Sequence, residues 1–198
     1  MSGDNKTLEF YTREASAYAD YTSQEKRSPL LKRFAAFLPE GGDVLDFGCG
    51  SGWGANRFNE MGFRAVGFDG SEGLAAEARE RYAVEVTVGR FDTFSAESAY
   101  DGIWASFCLL HDTREAMPGH LARLHRALRP GGAIYIGLKE GEGAHRDSLG
   151  RLYTYFGTDE MTGLLTAAGF GRIATETDQT TGYDGADVIS LHIFAHRD

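Results

Sequence analysis

The segment Val44-Leu45-Asp46-Phe47-Gly48-Cys49-Gly50-Ser51-Gly52-Trp53-Gly54 restricts the fold more than any other part of the chain. Its apolar start reads as a buried strand, and the glycines that follow read as a turn needing backbone freedom. Ala55 to Met61 then reads as a helix with Phe58 and Met61 on one face. A strand, a glycine turn and a helix N-terminus together form a small-molecule site. Glycines let a ligand approach the backbone, and free helix N–H groups point at its negative part. Asp46 sits where the strand delivers side chains to the crevice of an open α/β sheet.

The chain has 198 residues, enough for a single domain over 1–198 with a full core. Its 26 glycines accompany only 4 prolines, so they read as turn glycines rather than disorder. The net charge of −9 leaves no basic stripe for nucleic acid and argues against an anionic membrane surface. Met1 to Lys6 lacks an apolar signal core, and no stretch is long enough to span a membrane, so a cytoplasmic protein is expected, monomer or homodimer. Two cysteines, Cys49 and Cys108, make no disulfide framework.

Residues 7–37 show helical spacing, and Pro39-Glu40-Gly41-Gly42 ends a helical cap over 1–40. Two readings of its tyrosines stand: an amphipathic helix on the sheet edge, or a lid with Tyr11 and Tyr18 reaching in. Arg64 to Asp69 is a second strand. Its terminal acid lies 23 positions after Asp46, where a ribose diol is held in nucleotide-binding sheets. The blander reading of Asp69 is an acid before a helix, with Gly70 completing the turn and Ser71 capping that helix. Val84 to Val88 alternates as a third strand, followed by Phe91-Asp92, a flat face beside an acceptor that suits adenine. Tyr100 to Ser106 is the fourth strand, and Ala133 to Leu138 the fifth. Segments 139–157 form a polar, glycine-rich rim loop. Two closing strands, Gly171 to Thr177 and Asp187 to Ala195, have no helix between them and should pair antiparallel. The strand–helix alternation before them predicts an α/β fold, a mostly parallel sheet with helices on both faces.

A glycine turn plus an acid fits two cofactors. Gly50 to Ala55 satisfies G-x-G-x-x-A, and Tyr135 with Lys139 satisfies the Y-x-x-x-K of a nicotinamide-dependent oxidoreductase. That pair needs one helix face, whereas these residues lie in an apolar strand about 13 Å apart.

Asp46-Phe47-Gly48-Cys49-Gly50-Ser51-Gly52, Asp69, Phe91-Asp92, the Tyr100 to Ser106 strand and Leu128-Arg129-Pro130-Gly131-Gly132 resemble, in order and spacing, the class I S-adenosylmethionine-dependent methyltransferases. The Leu110-His111 step, the Lys139-Glu140-Gly141 turn and the Gly150-Arg151 segment are similar to small bacterial methyltransferases related to tellurite-resistance methyltransferases. The resemblance implies a Rossmann-like seven-stranded sheet of order 3-2-1-4-5-7-6 with strand 7 reversed. It implies S-adenosylmethionine as cofactor, with Gly48, Cys49 and Gly50 at its methionine part and Asp46 and Gly52 also among its binding residues. It further implies Asp69 and Gly70 at the ribose, Phe91 and Asp92 at the adenine, Ser106 near the sulfonium, and Tyr11 and Tyr18 closing over it. Near relatives often carry a charged pair where Trp53-Gly54 stands, so Trp53 either shapes the pocket or packs on the N-terminal segment.

Methyl transfer from a sulfonium releases a neutral leaving group, so positioning and water exclusion carry much of the rate, and a base is needed only for a protonated acceptor. His111, after the fourth strand, is the candidate base, or else a histidine bonded to the loop backbone. Arg151, Tyr153 and Tyr155 are candidates for orienting an anionic or aromatic small-molecule acceptor, or else belong to a solvated loop. His120 and His125 fall on a helix and are expected at the surface. No histidine, cysteine and acid spacing resembles a metal site. The competing functions are the oxidoreductase and a non-catalytic cofactor-binding module.

Overall fold

The computed structural model describes residues 4–22 and 28–198. Three helices open it: α1 (Asn5–Arg13), α2 (Ala15–Thr22) and α3 (Ser28–Ala35). The helical span expected over 7–37 is thus divided at Glu14, and its part over 23–27 lies outside the described residues. The alternation follows: β1 (Asp43–Phe47), α4 (Trp53–Glu60), β2 (Arg64–Asp69), α5 (Glu72–Tyr82), β3 (Val86–Val88), β4 (Tyr100–Ser106), α6 (Met117–Ala127) and β5 (Leu128–Lys139). A short pair, β6 (Ala144–Arg146) and β7 (Leu152–Thr154), precedes α7 (Thr158–Ala167), β8 (Phe170–Thr181) and β9 (Asp187–Arg197).

The main sheet has seven strands in the order β3-β2-β1-β4-β5-β9-β8. Counted within that sheet, this is the expected order 3-2-1-4-5-7-6, and β9 runs antiparallel to both neighbours. β1 lies beside the central strand, β4, parallel to it on one side and to β2 on the other. The chain therefore winds outward through β2 and β3, then returns past β1 to β4. That reversal opens a crevice at the carboxyl ends of β1 and β4, the usual ligand position in such sheets.

Alternation along β1 builds both faces at once, because successive side chains point to opposite sides. Leu45 and Phe47 enter one buried cluster with Leu121, Leu124 and Met161, from α6 and α7. Val44 enters the other with Phe34, Phe58 and Ala75, from α3, α4 and α5. Helices consequently cover both faces, each burying one apolar stripe.

Three expectations need correction. The segment 139–157 is not a loop throughout: Ala144, His145 and Arg146 pair antiparallel with Thr154, Tyr153 and Leu152. Glycines with left-handed backbone at Gly143 and Gly150 made it look irregular. The fifth strand starts at Leu128 rather than Ala133, because Tyr100 pairs with Leu128 before Arg129 to Gly132 bulge out of register. His120 is not at the surface but 2% exposed, its Nε2 2.8 Å from Asp112 Oδ2. Met117, His120, Leu121 and Leu124 share one buried face of α6, and a ring with a carboxylate partner is tolerated there.

The turn after β1 is fixed sterically. Gly48 has φ +68°, and a Cβ built there would fall 2.2 Å from Cys108 Cβ. Gly131 has a similar φ of +78° with no heavy atom within 4 Å of such a Cβ. Gly131→Ala should therefore lose only the left-handed backbone term, about 1–2 kcal/mol. Gly48→Ala should lose that plus about 1–3 kcal/mol of overpacking. Urea unfolding of the two variants checks this, and equal losses would refute the close-approach account.

Candidate functional site

The glycine turn is tied to the end of β2 by its backbone. The N–H groups of Gly48 and Cys49 donate to the Phe68 carbonyl at 2.7 and 3.2 Å. Gly50 N–H donates to Asp69 Oδ2 at 2.8 Å, and Ser71 N–H to Asp69 Oδ1 at 2.8 Å. Burial pushes the Asp69 carboxyl up, opposed by these backbone donors. The Gly70 N–H is a third backbone donor to this carboxylate, which leaves it acceptor capacity for one ligand hydroxyl. A Cβ added at Gly50 would meet only Tyr18 and Leu74, at 3.9 and 4.0 Å, so the missing side chain leaves a cradle facing the crevice. A cavity of about 80 Å³ follows, lined by Asp69, Gly70, Phe91, Ser106, Leu8 and Tyr11 among others. Phe91 packs on Phe47 with ring centroids 4.9 Å apart.

Asp46 and Cys49 line the larger of the two connected spaces, and with Gly52 they also brace the turn. Asp46 Oδ2 accepts from Ala55 N at 2.8 Å, satisfying an N-terminal donor of α4 that Gly52 has no side chain to cap. Gly52 faces α5, where a Cβ would fall 2.7 Å from Ala78 Cβ. Cys49 tucks its thiol under the sheet, 2.6 Å from a Cβ built at Gly67, and burial pushes that thiol well up. Its contribution to the crevice is backbone. Asp92 sits in the 3₁₀ turn Phe91–Thr93 and is not among the residues lining the small cavity.

The crevice opens into a larger chamber of about 410 Å³. Tyr11, Tyr18, Tyr21, Trp104, Tyr153 and Tyr183 form aromatic walls, with His111, Lys139, Arg151 and His192 as the basic groups. Tyr11 and Tyr18 line both spaces. Trp53 also lines the chamber, with the Arg57 guanidinium 5.8 Å from its ring. Tyr155 lies outside, its ring stacked on His145 at 4.9 Å. The Tyr135 and Lys139 match to a dehydrogenase pair has no counterpart here, since the Tyr135 hydroxyl is buried 2.7 Å from His192 Nδ1.

Polar side chains up to 140 residues apart form one chain across the chamber wall. Asp147 pairs with Arg151 at 2.6 Å, with both side chains under 4% exposed. Arg151 donates to the Tyr11 hydroxyl at 3.1 Å, and that hydroxyl lies 2.9 Å from His111 Nε2. His111 Nδ1 lies 2.7 Å from the Leu152 carbonyl. A carbonyl only accepts, so Nδ1 carries the proton in the neutral ring and Tyr11 donates to Nε2. His192 is similarly engaged, with Asp178 Oδ1 3.0 Å from Nε2.

These bonds also fasten the N-terminal helices. Arg146 donates to both Asp4 oxygens at 2.7 Å, which holds the Asp4 carboxyl well below the usual range. Leu152 N–H donates to Thr7 Oγ1 at 2.9 Å. α1 is thereby clamped to the β6–β7 pair and closes the crevice from above. Lys139, Tyr183, Trp104 and His192 were not expected at the site. They come from an apolar strand, a turn and a closing strand, and periodicity reads such residues as core or surface.

Burial lowers the His111 pKa from 6.5 to about 4, opposed by the Leu152 carbonyl and assisted by the nearby Arg151 and Lys139 charges. The unfolded chain takes up this proton as pH falls through 6.5, and the folded protein only near 4. Stability should therefore fall across that window, by up to ~3 kcal/mol from this group. Thermal melts from pH 7 to 4.5 should show a shallower decline for His111→Asn than for the parent; parallel declines would contradict the assignment.

Comparison with known proteins adds the following. Residues 44–132 match the methyltransferase domain family. The chain is 29% identical over 172 residues to a probable S-adenosylmethionine-dependent methyltransferase of Mycolicibacterium smegmatis, covering 84% of this chain and 65% of that protein. It is 35% identical over 142 residues to trans-aconitate 2-methyltransferase of Variovorax paradoxus, covering 65% of this chain and 51% of that one. It thus spans roughly half to two-thirds of the length of these relatives. In structure it is similar to Burkholderia thailandensis 1,6-didemethyltoxoflavin-N1-methyltransferase, solved with 1,6-didemethyltoxoflavin and S-adenosylhomocysteine. The TM-score is 0.78 at 24% identity, covering 97% of this chain and 87% of that one.

Proposed function

With residues 44–132 belonging to the methyltransferase domain family on a class I S-adenosylmethionine-dependent methyltransferase fold, we propose that this chain transfers a methyl group from S-adenosylmethionine to a small-molecule acceptor. One observation carries the reading. The cradle at Gly50 and Asp69 opens directly into the aromatic chamber, and Tyr11 and Tyr18 line both. A donor and an acceptor can thus lie end to end beneath one cover.

In this reading Asp69 accepts from the ribose diol with the acceptor capacity its backbone donors leave, while Gly70 and Phe91 border the base. The backbone of Gly48, Cys49 and Gly50 faces the methionine part, and Ser106 lies where the two cavities meet. Bound there, the cofactor supplies an electrophilic methyl on a sulfonium, open to in-line displacement. The chain's own residues hold the acceptor in line and keep water out. Where the acceptor carries a proton, Tyr11 and His111 form a route for it. The Tyr11 oxygen takes the acceptor's proton as its own hydroxyl proton passes to His111 Nε2, a free acceptor site in the neutral ring. The lowered His111 pKa keeps that site open at neutral pH. Within the class, Leu110-His111, Lys139-Glu140-Gly141 and Gly150-Arg151 support a place near the small bacterial methyltransferases related to tellurite-resistance methyltransferases. Among the described residues, no helix is long and apolar enough to cross a membrane. No group of three or more His, Cys, Asp or Glu among them could hold a metal ion.

Calorimetric titration with S-adenosylmethionine and with S-adenosylhomocysteine tests the reading; folded protein that binds neither would overturn it. Asp69→Ala should weaken binding by ~1.5–3 kcal/mol, the loss of charged hydrogen bonds. Circular dichroism on the same sample checks that the cradle still folds.

A further inference from the structure

Lys139 ends β5 inside the chamber and is 6% exposed. Its ammonium lies 3.6 Å from the centroid of the Tyr153 ring. Among the described residues, neither a hydrogen bond nor an ion pair reaches that ammonium. The carboxylates around it are committed elsewhere or held at a distance. Asp147 is paired with Arg151, and Asp178 with His192. Asp184 acts on Lys139 only through space, without contact. Burial pushes the lysine down, and its ammonium faces the chamber with one ring face as its protein partner, so its donors are left to whatever fills the chamber.

A structural role does not account for this arrangement. Met at this position would fill the same space without the desolvation cost. The cofactor's own carboxylate does not account for it either. The cradle lies at the end of β1, and β4 separates β1 from β5, which puts Lys139 about 10 Å to the acceptor side. Tyr153 lies beneath the ammonium and the Gly182 turn beside it, with Tyr18, Tyr21 and Tyr183 among the flat walls of the same chamber.

We propose that Lys139 is the specificity-determining receptor for a carboxylate on a planar acceptor, which enters the chamber with its ring between the tyrosines and its charge against the ammonium. One cation matches one negative charge. A dianionic phosphate would leave a charge unmet near Asp147, Asp178 and Asp184. Arg151 does not share the role, because its guanidinium is spent on Asp147 and Tyr11 and lies among the Phe10, Tyr11, Tyr153 and Tyr183 rings.

The inference rests on the methyltransferase reading, and the test separates the two. Protein saturated with S-adenosylhomocysteine is titrated with planar aromatic acids and their matched neutral amides, beginning with 4-hydroxybenzoate and 4-hydroxybenzamide. At least one acid should bind about tenfold or more tightly than its amide, the order expected of a buried charged hydrogen bond. Lys139→Met should remove that preference, bind S-adenosylhomocysteine as the parent does, and melt no lower than the parent. A panel in which no acid outbinds its amide, or a preference that survives in Lys139→Met, overturns the inference while leaving the cofactor site standing. A variant that melts lower and loses S-adenosylhomocysteine binding marks Lys139 as structural and overturns it too. Failure of the parent to bind S-adenosylhomocysteine overturns the methyltransferase reading itself.

Discussion

Everything at the rim depends on the backbone leaving β1 in a left-handed turn. Gly48, Gly50 and Gly52 all have positive φ, and each uses the missing Cβ differently. Gly48 lets Cys108 come close, which seats the loop after β4 against β1. Gly52 lets α4 lie on α5. Gly50 alone turns its bare backbone to the crevice, and its N–H is what Asp69 grips. One turn therefore sets the spacing of two helices, the approach of the loop after β4 and the position of Asp69. A side chain at any of the three would carry a strain that L-residues rarely sustain.

The second constraint is the buried pair of Arg151 and Asp147. Removing two charges from water is costly, and such pairs are poor evidence of stability. What this pair does is fix a direction. Held by Asp147 and surrounded by four rings, the guanidinium has one remaining N–H path, to the Tyr11 hydroxyl. α1 is nine residues long, too short to hold its shape alone. Its place over the crevice comes from Tyr11 on Arg151 and His111, Thr7 on Leu152 and Asp4 on Arg146. The cover is thus an assembly of tertiary hydrogen bonds, and it reaches the β6–β7 pair rather than the sheet.

That difference explains what was legible from residues alone. The strand at Val44 to Phe47, the glycine turn, the alternation of strand and helix, and the antiparallel closing pair are local patterns, so periodicity and turn chemistry expose them. The position of Asp69 follows from spacing along the chain. The chamber does not, because its contacts join residues far apart: 100 positions separate Tyr11 from His111, and 140 separate Tyr11 from Arg151. Arg151 sits in a polar, glycine-rich stretch that looks solvated, yet it is among the most buried side chains. His120 looked exposed because a histidine on a helix usually is; only its place on the Met117 and Leu121 face revealed otherwise. Lys139 read as the first residue of the polar rim loop, whereas it is the last residue of β5 and turns into the chamber.

The division of labour within the site follows from the chemistry. On the proposed reading a sulfonium donor leaves as a neutral thioether, so no oxyanion hole is needed. The buried polar groups are instead spent on geometry. Asp46 holds the start of α4, Asp69 holds the glycine turn, and Asp147 aims Arg151 at the cover. Each of these carboxylates accepts from groups of the chain itself. Lys139 is the buried charge for which the described residues supply only a ring face. In a site whose other polar groups are matched internally, a charge matched only by an aromatic face belongs to the complex rather than to the free protein. The acceptor then completes the electrostatics of the chamber as it completes its packing.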